Sequence, residues 1–280
     1  MRTLVLGAKG QLGKDLVAVF RKTGQIEGFD LPELDISSTL LVRALVHDFK
    51  PDLVINAAAY TDVEGAEDDP EAAFTANERG ARNVAEAASE CGVPIVYYST
   101  DFIFDGAKES PYEPDDPIAP LGVYAQSKAA GEVATREANA RNYIIRTAWL
   151  YGPGGNNFVE KMLYLAKSQP NLKVVEDEVG SPTHTEDLAA ATAALVKTDQ
   201  FGVYHAVNAG ACSRYDFARE ILRLAKIETP VAPCRAAEFP SKAPRPRYSV
   251  LSSAKLEACC GYRMRPWVEA LKRYMSRRTR

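Results

Sequence analysis

Tyr124 and Lys128 stand four residues apart in the stretch GVYAQSKAAGE (122–132), where a helical pattern begins. Residues at that spacing share one helix face. The pair reads either as a tyrosine packed along a lysine stem or as a phenolic proton donor with a cation beside it. One helix earlier, the apolar run VPIVYY turns abruptly to Ser99-Thr100-Asp101. A strand can end in hydroxyls as a simple turn, but beside a proton donor they also offer a polar pocket for charge developing on a carbonyl oxygen. A third group is Gly7, Gly10 and Gly13 in LVLGAKGQLG, at three-residue intervals between a strand and a helix. Gly7 permits a tight turn, Gly10 lets backbone approach a pyrophosphate at a helix N-terminus, and Gly13 allows close helix–strand packing. The spacing is one residue looser than G-x-G-x-x-G. Asp30, ending the next strand pattern, is the residue type that accepts from adenosine ribose hydroxyls. With it, the loop reads as a nicotinamide-dinucleotide site. Its charge repels a 2′-phosphate and points first to NAD(H), unless Arg21 or Lys22 lies close enough to offset it. Asp35 and Ile36 come next in the chain, where an adenine would sit.

These groups need elements to hold them, and the first half of the chain alternates regularly. TLVLGA (3–8), QIEGFD (25–30), DLVINAAA (52–59), VPIVYYSTD (93–101) and NYIIRTAWLYG (142–152) read as strands. Segments 10–24, 39–51, 69–92 and 124–140 read as helices. Near-continuous apolar strands alternating with helices predict an α/β fold: a doubly wound, Rossmann-like parallel sheet covered on both faces. Ligands in such sheets sit beyond the carboxyl ends of the strands. The Ser99-Thr100-Asp101 turn falls there, as do the small residues Ala57, Ala58 and Ala59. After about residue 152 the pattern changes. Segments 155–169, 183–198 and 213–226 read as helices, 202–210 as a strand, and 230–250 as a loop carrying five of the 17 prolines. The division expected is a dinucleotide-binding domain over 1–152 and a smaller, mainly substrate-binding C-terminal lobe over 153–280, some of whose segments return to the first domain. In the loop, Arg235, Lys242, Arg245 and Arg247 outnumber the single acid Glu238, which suits a nucleotide diphosphate and equally a solvated loop. The closing RRTR reads as a frayed, soluble end.

Composition narrows the class. The chain has 280 residues, 46% hydrophobic and 25% charged, with a net charge of −3, and gives no global reason to expect nucleic acid or an anionic membrane. Its apolar runs fall well short of the roughly 20 residues of a membrane span. Five cysteines without a C-x-x-C and three histidines argue against a disulfide framework or a zinc site. A soluble, cytoplasmic protein is the expectation.

Read in order, GAKGQLG, INAAAYTDVEGAE, YSTDFIFDG, PLGVYAQSKAAGE, RTAWLYGPGGNNF, VEDEVGSPT and APRPRYSVLSSAKL cover nearly the whole chain. Together they resemble the extended short-chain dehydrogenase/reductases and, more narrowly, the dTDP-4-dehydrorhamnose reductase family. The resemblance implies reduction of a dTDP-linked 4-keto-6-deoxy sugar at C4 by NADH or NADPH. Tyr124 would donate the proton. Lys128 would lower the pKa of that phenol and bind the nicotinamide ribose, and Thr100 would bind the substrate oxygen. The cofactor site it implies comprises Gly7, Gly10, Gln11, Leu12, Gly13, Asp30, Asp35, Ile36, Ala57, Ala58, Ala59, Tyr98, Tyr124 and Lys128. The sugar and nucleotide fall to Thr61, Val63, Glu64, Thr100, Asp101, Phe102, Trp149 and Arg245. Gly65 departs from relatives that carry lysine there. No counterpart is found to the carboxylates through which some relatives form a magnesium-bridged dimer, so magnesium is unsupported; a homodimer through the helices after residues 69 and 124 stays open.

Other readings keep the same residues. A different nucleotide-sugar reductase or an epimerase would retain the Tyr/Lys pair. A regulatory subunit resembling the β subunit of methionine adenosyltransferase, or a nucleotide-sensing module, would bind cofactor without turnover.

Overall fold

The apolar runs of the first half line up as one sheet in the computed structural model, which describes residues 1–239 and 241–278. β1 (Arg2–Leu6), β2 (Gln25–Phe29), β3 (Leu53–Asn56), β4 (Ile95–Thr100) and β5 (Asn142–Thr147) are mutually parallel. Further on, β6 (Leu150–Tyr151) pairs with β9 (Thr183–His184), β7 (Leu172–Val175) with β12 (Val231–Cys234), and β8 (Val179–Gly180) with β11 (Cys212–Ser213). β10 (Gly202–His205) instead returns to the main sheet beside β5, giving the order β10-β5-β4-β3-β1-β2. The doubly wound sheet is therefore present, and its last strand comes from the second half of the chain. Strand order reverses at β1, which leaves a crevice between the ends of β1 and β3.

Helices cover both faces. α1 (Gln11–Phe20) buries Leu12, Leu16 and Phe20 on one face, with Leu188 and Leu195 of α8 (Thr185–Leu195). α10 (Ala254–Cys260) adds Leu256 to that layer. On the other face, α2 (Thr39–Phe49) and α5 (Ala81–Glu90) bury Val42, Val46 and Val84 against Leu4, Leu6 and Val54. Each such side chain contributes about 1.5–3 kcal/mol on leaving water, so the two layers fix where the strand ends lie. A separate core forms where α7 (Phe158–Ser168), α9 (Arg214–Ala225) and α11 (Trp267–Arg278) close Leu163, Phe217 and Leu271 around Tyr151. No described helix is long and apolar enough to cross a membrane.

Three expectations need correction. The helix expected over 69–92 is broken. Asp62 and Asp69 accept from Gly65 N and Ala72 N at 2.9 and 3.0 Å, capping α3 (Val63–Asp68) and α4 (Pro70–Phe74), and Pro70 opens the second. A π-helical turn, Thr75–Gly80, then leads into α5 and turns Asn77 inward, where it is almost fully buried. The strand expected over 142–152 stops at Thr147, because Trp149 takes a left-handed φ of 47° before β6 begins. The RRTR end is not frayed where it is described: Arg277 and Arg278 pair with Glu186 and Glu160 at 2.7 and 2.6 Å. Thr279 and Arg280 lie outside the described residues.

One helix–strand contact sets the geometry beyond the end of β4. α6 (Val123–Ala138) lies against β4 and α5, and Gly131 determines how close it comes. A Cβ at that position would stand 2.1 Å from the Asn77 carbonyl oxygen and 2.2 Å from the Tyr97 phenol oxygen. One residue on, Glu132 joins β5 through a buried bidentate pair with Arg146, at 2.9 Å on each arm. Arg146 also donates to the Pro114 carbonyl at 2.9 Å. His205 beside it is held down to about 3 by burial and by the Arg146 charge, so it stays neutral and does not compete for Glu132. Gly131→Ala must push α6 off β4. We expect a loss of about 1–3 kcal/mol in urea unfolding and a turnover loss approaching 100-fold from misplacement of about 1 Å.

Candidate active site

The glycine loop occupies the crevice between β1 and β3. Gly7 has φ +77°, and a Cβ on it would come within 2.6 Å of Ala57 C and Ala58 N. A Cβ on Gly13 would stand 2.0 Å from the Gly7 carbonyl oxygen, whereas Gly10 meets only that same oxygen, at 3.3 Å. Two glycines are thus required by the protein's own packing, and the third faces outward. Gly10 is also the N-cap of α1 and brings no side chain to its N–H groups, which leaves the helix start at Gln11, Leu12 and Gly13 suited to an anion. Buried Asn56 Nδ2 and Ser99 Oγ, near the ends of β3 and β4, have no protein partner. A cradle that a Cβ would fill, an uncapped helix start and orphaned polar atoms at the strand ends all fit a dinucleotide.

Asp30 is fixed at the rim of this crevice, accepting from Lys9 N at 2.8 Å and Leu31 N at 2.9 Å. Lys9 reaches it only through its backbone N–H, since its ammonium pairs with Glu33 at 2.6 Å. Asp35 is exposed and accepts from Ser37 N at 2.8 Å in a local turn. Ile36 is core, packed against Gly80. The Tyr98 side chain also belongs to the core. Its hydroxyl pairs with Thr192 of α8 at 2.8 Å, so only its backbone is left for a cofactor.

Tyr124 and Lys128 sit on α6 above the end of β4. The helix start at Gly122 has no side-chain cap of its own. Glu67 of α3 supplies one, accepting from Val123 N at 2.8 Å. Asn77 ties the neighbouring turn to the same helix: it accepts from Tyr60 N at 2.9 Å and donates to Tyr60 O at 3.1 Å and to Ser127 Oγ at 2.9 Å. The Tyr124 phenol lies near the Thr100 side chain and meets Phe102 edge to face at 6.1 Å. Burial pushes it up to about 12; Thr100 opposes the shift and Asp101 adds to it. The direction is opposite to the one expected from a neighbouring ammonium. Burial is the larger effect, and the Lys128 Nζ lies over the Tyr97 ring, 4.2 Å from its centroid. Burial brings this ammonium down to about 7, against the charge of Glu132.

The far side of the pocket is built from the second half of the chain. Asp101 is buried, accepts from Ser249 Oγ at 2.5 Å and from Thr100 Oγ1 at 3.2 Å, and is raised to about 6 by burial. Arg214, at the start of α9, stacks its guanidinium 3.5 Å over the Trp149 ring and lies 3.6 Å from Glu178. Its charge also reaches Asp101. Trp149 is held by Arg214 on its face and by Gly180 at its edge, where a Cβ would come within 2.5 Å. Such clamping is what sustains a left-handed residue. Thr61 is exposed just before α3, which Val63 opens. A side chain at Gly65 would displace the Asp62 carboxylate, whose Oδ2 its Cβ would meet at 2.5 Å.

The basic loop does not converge as expected. Lys242 pairs with Asp68 at 2.6 Å and Arg245 with Glu64 at 2.6 Å, while Arg235 lies 3.7 Å from Glu176. Ser241 Oγ and Lys242 N also donate to Glu64, at 2.8 and 2.9 Å, and Glu64 is held down to about 2. Glu64 and Arg245 are thus each other's partners, and the loop is strapped to α3 instead of being a free cationic patch. Pro240 of that loop lies outside the described residues. Asn77, Tyr97, Arg214, Glu178 and Ser249 had no signal in the sequence.

The family description "RmlD substrate binding domain" matches residues 1–280. The spore coat polysaccharide biosynthesis protein SpsK of Bacillus subtilis is 39% identical over 99% of this chain and 98% of its own. A crystal structure of a dTDP-4-dehydrorhamnose reductase from Clostridium acetobutylicum superposes with a TM-score of 0.98 at 40% identity, covering 100% of both chains. That of a dTDP-4-dehydrorhamnose reductase from Bacillus anthracis, in complex with NADP, gives 0.96 at 38% identity over 99% of both. With its whole length matched, its sheet order and its glycine cradle, the chain belongs to the RmlD substrate binding domain family.

Proposed function

We propose that the chain reduces dTDP-4-dehydro-L-rhamnose to dTDP-L-rhamnose with NADH or NADPH. The observation that carries this reading is the placement of Tyr124 and Lys128 on one helix above the end of β4, with Thr100 acting on the phenol, in a chain matched along its whole length by reductases of that name. The NADP complex of the Bacillus anthracis protein supports the cofactor class. Gly7, Gly10, Gly13 and the start of α1 would hold the diphosphate of the dinucleotide, Asp30 the adenosine ribose, and Lys128 the nicotinamide ribose. Bound NAD(P)H supplies the hydride that C4 of the sugar accepts. Tyr124 gives its phenolic proton to the ketone oxygen as it becomes a hydroxyl. A phenol near 12 is fully protonated at neutral pH, and an alkoxide is a much stronger base than a phenolate, so the transfer runs downhill. Thr100 orients the oxygen, and Asp101, Phe102 and Trp149 wall the sugar. The Glu64–Arg245 pair borders its nucleotide side together with Thr61 and Val63. Of these residues only Arg245 lies beyond β6; the second half otherwise acts by supporting Asp101 and Trp149 through Ser249, Arg214 and Gly180.

Two substitutions test the assignment. Tyr124→Phe keeps the ring that meets Phe102 and removes only the proton. We expect it to fold, to bind NADPH within about twofold, and to lose at least about 100-fold in kcat, a typical contribution of general acid catalysis. Near-wild-type turnover on the verified ketosugar would refute Tyr124 as the donor. A folded wild-type protein that binds NADPH and leaves that sugar unchanged would point to the regulatory or sensing roles.

Asp101→Asn separates stability from function. A carboxyl raised from 3.8 to about 6 favours the folded state below pH 4 and loses that benefit as pH rises through 6. Removing the charge is therefore expected to stabilise the fold at pH 7 by about 3 kcal/mol, with the difference vanishing below pH 4, while turnover falls. Thermal melts across that pH range check the sign.

A further inference from the structure

Lys128 is buried, and among the described residues no oxygen accepts a hydrogen bond from its ammonium. Its neighbour is an aromatic face: Nζ lies 4.2 Å from the centroid of the Tyr97 ring, and both side chains are buried. The carboxylate one turn further along α6 is already committed, since Glu132 is held by Arg146 on both oxygens. We infer that Tyr97 is a positioning residue of the reaction, its ring holding Lys128 charged and in place above the end of β4. Cation–ring attraction is largest when the pair is withdrawn from water, as here. What Lys128 then does toward the cofactor rests on the reductase reading; the contact itself does not.

The rest of the contact explains why this tyrosine is so firmly placed. Its hydroxyl donates to the Asn77 and Lys128 carbonyls at 3.3 and 3.2 Å. The ring packs with Ala81 and Ile144, and Gly131 leaves room for the hydroxyl against α6. Tyr97 and Tyr98 point to opposite faces of the sheet. One supports Lys128, and the other binds α8. Several other charges on elements packed around α6 are already engaged, while Glu78 of the π turn is half-buried and carries no ion pair among the described residues. Glu67 of α3 caps the helix, Glu71 of α4 pairs with Arg79 of the π turn, Arg82 of α5 pairs with Glu137, and Arg146 of β5 pairs with Glu132. Across the end of β4, the charge of Asp101 acts on Tyr124, and Glu132 is the group whose charge acts on Lys128.

The test replaces Tyr97 by phenylalanine and by trifluorophenylalanine. Both lose the same two hydrogen bonds and keep the ring's shape; only the second drains the ring's electron density. The Lys128 ammonium is titrated by NMR of carbon-labelled lysine, assigned with Lys128→Arg, and NADPH affinity is measured over the same pH range without sugar. The midpoint for Tyr97→Phe should stay within a few tenths of a unit of wild type, about what a retained ring predicts. The trifluoro variant should titrate lower by about half to one pH unit. Its NADPH affinity should weaken several-fold at pH values above that midpoint. Equal midpoints in the two variants would overturn the inference. If neither variant folds, the wild-type protein still decides. With Nζ 4.2 Å from the ring centroid, the Cε methylene protons bonded next to it must show a ring-current shift relative to other lysines, and the absence of any such shift would overturn it too. No sugar turnover enters these readouts, so a wrong substrate assignment and a wrong role for Tyr97 give different results.

Discussion

How closely α6 lies on β4 is the constraint on which the site depends. The helix carries Tyr124 and Lys128, and the strand delivers Thr100 and Asp101. The two meet only because Gly131 presents no side chain to Asn77 and Tyr97. Glu132 then pins the same stretch of helix to β5 through Arg146. A buried pair of this kind adds little net stability over an apolar pair, but it strongly penalises any arrangement that separates its members. Packing brings the helix in, and the ion pair prevents it from sliding.

Around that contact the protein accepts electrostatic costs that a stability optimum would avoid. A lysine and an aspartate are buried and a tyrosine is half-buried, and desolvation disfavours each in its charged form. Partners offset part of this: an aromatic face for Lys128, Ser249 and Thr100 for Asp101, and Glu178 for Arg214. Several of those partners come from the second half of the chain. The pocket therefore closes only when residues 178–180, 214 and 249 fold back onto β4, and this couples the two cores into one functional unit.

The strands, the glycine loop and the Tyr/Lys spacing were legible in sequence because each is local: an apolar run, a turn type, a helix repeat. What failed was set by distance or by backbone geometry. Asn77 was hidden in a stretch of good helix formers, since nothing in its neighbours announces a π turn. Arg214 and Ser249 reach Asp101 from more than a hundred positions away, and no spacing rule spans that. The basic loop reads equally as an anion site or a solvated loop in sequence because its partners, Glu64 and Asp68, belong to α3 and not to the loop. Tyr98 and Tyr97 were indistinguishable as letters; strand alternation alone decides which faces Lys128. The phenol is raised because it is desolvated, and Asp101 adds to the shift; sequence spacing reports neither burial nor where the Lys128 ammonium lies.

Delivery of a hydride to C4 of a dTDP-linked ketosugar is the event to which every residue of this pocket is assigned. The most direct measurement supplies NADPH deuterated at the transferable position together with dTDP-4-dehydro-L-rhamnose, and locates the label in the product by NMR. We predict dTDP-L-rhamnose carrying one deuterium at C4, formed at the rate NADPH is consumed. Deuterium at another carbon, or an unlabelled epimer formed without net NADPH consumption, would contradict it.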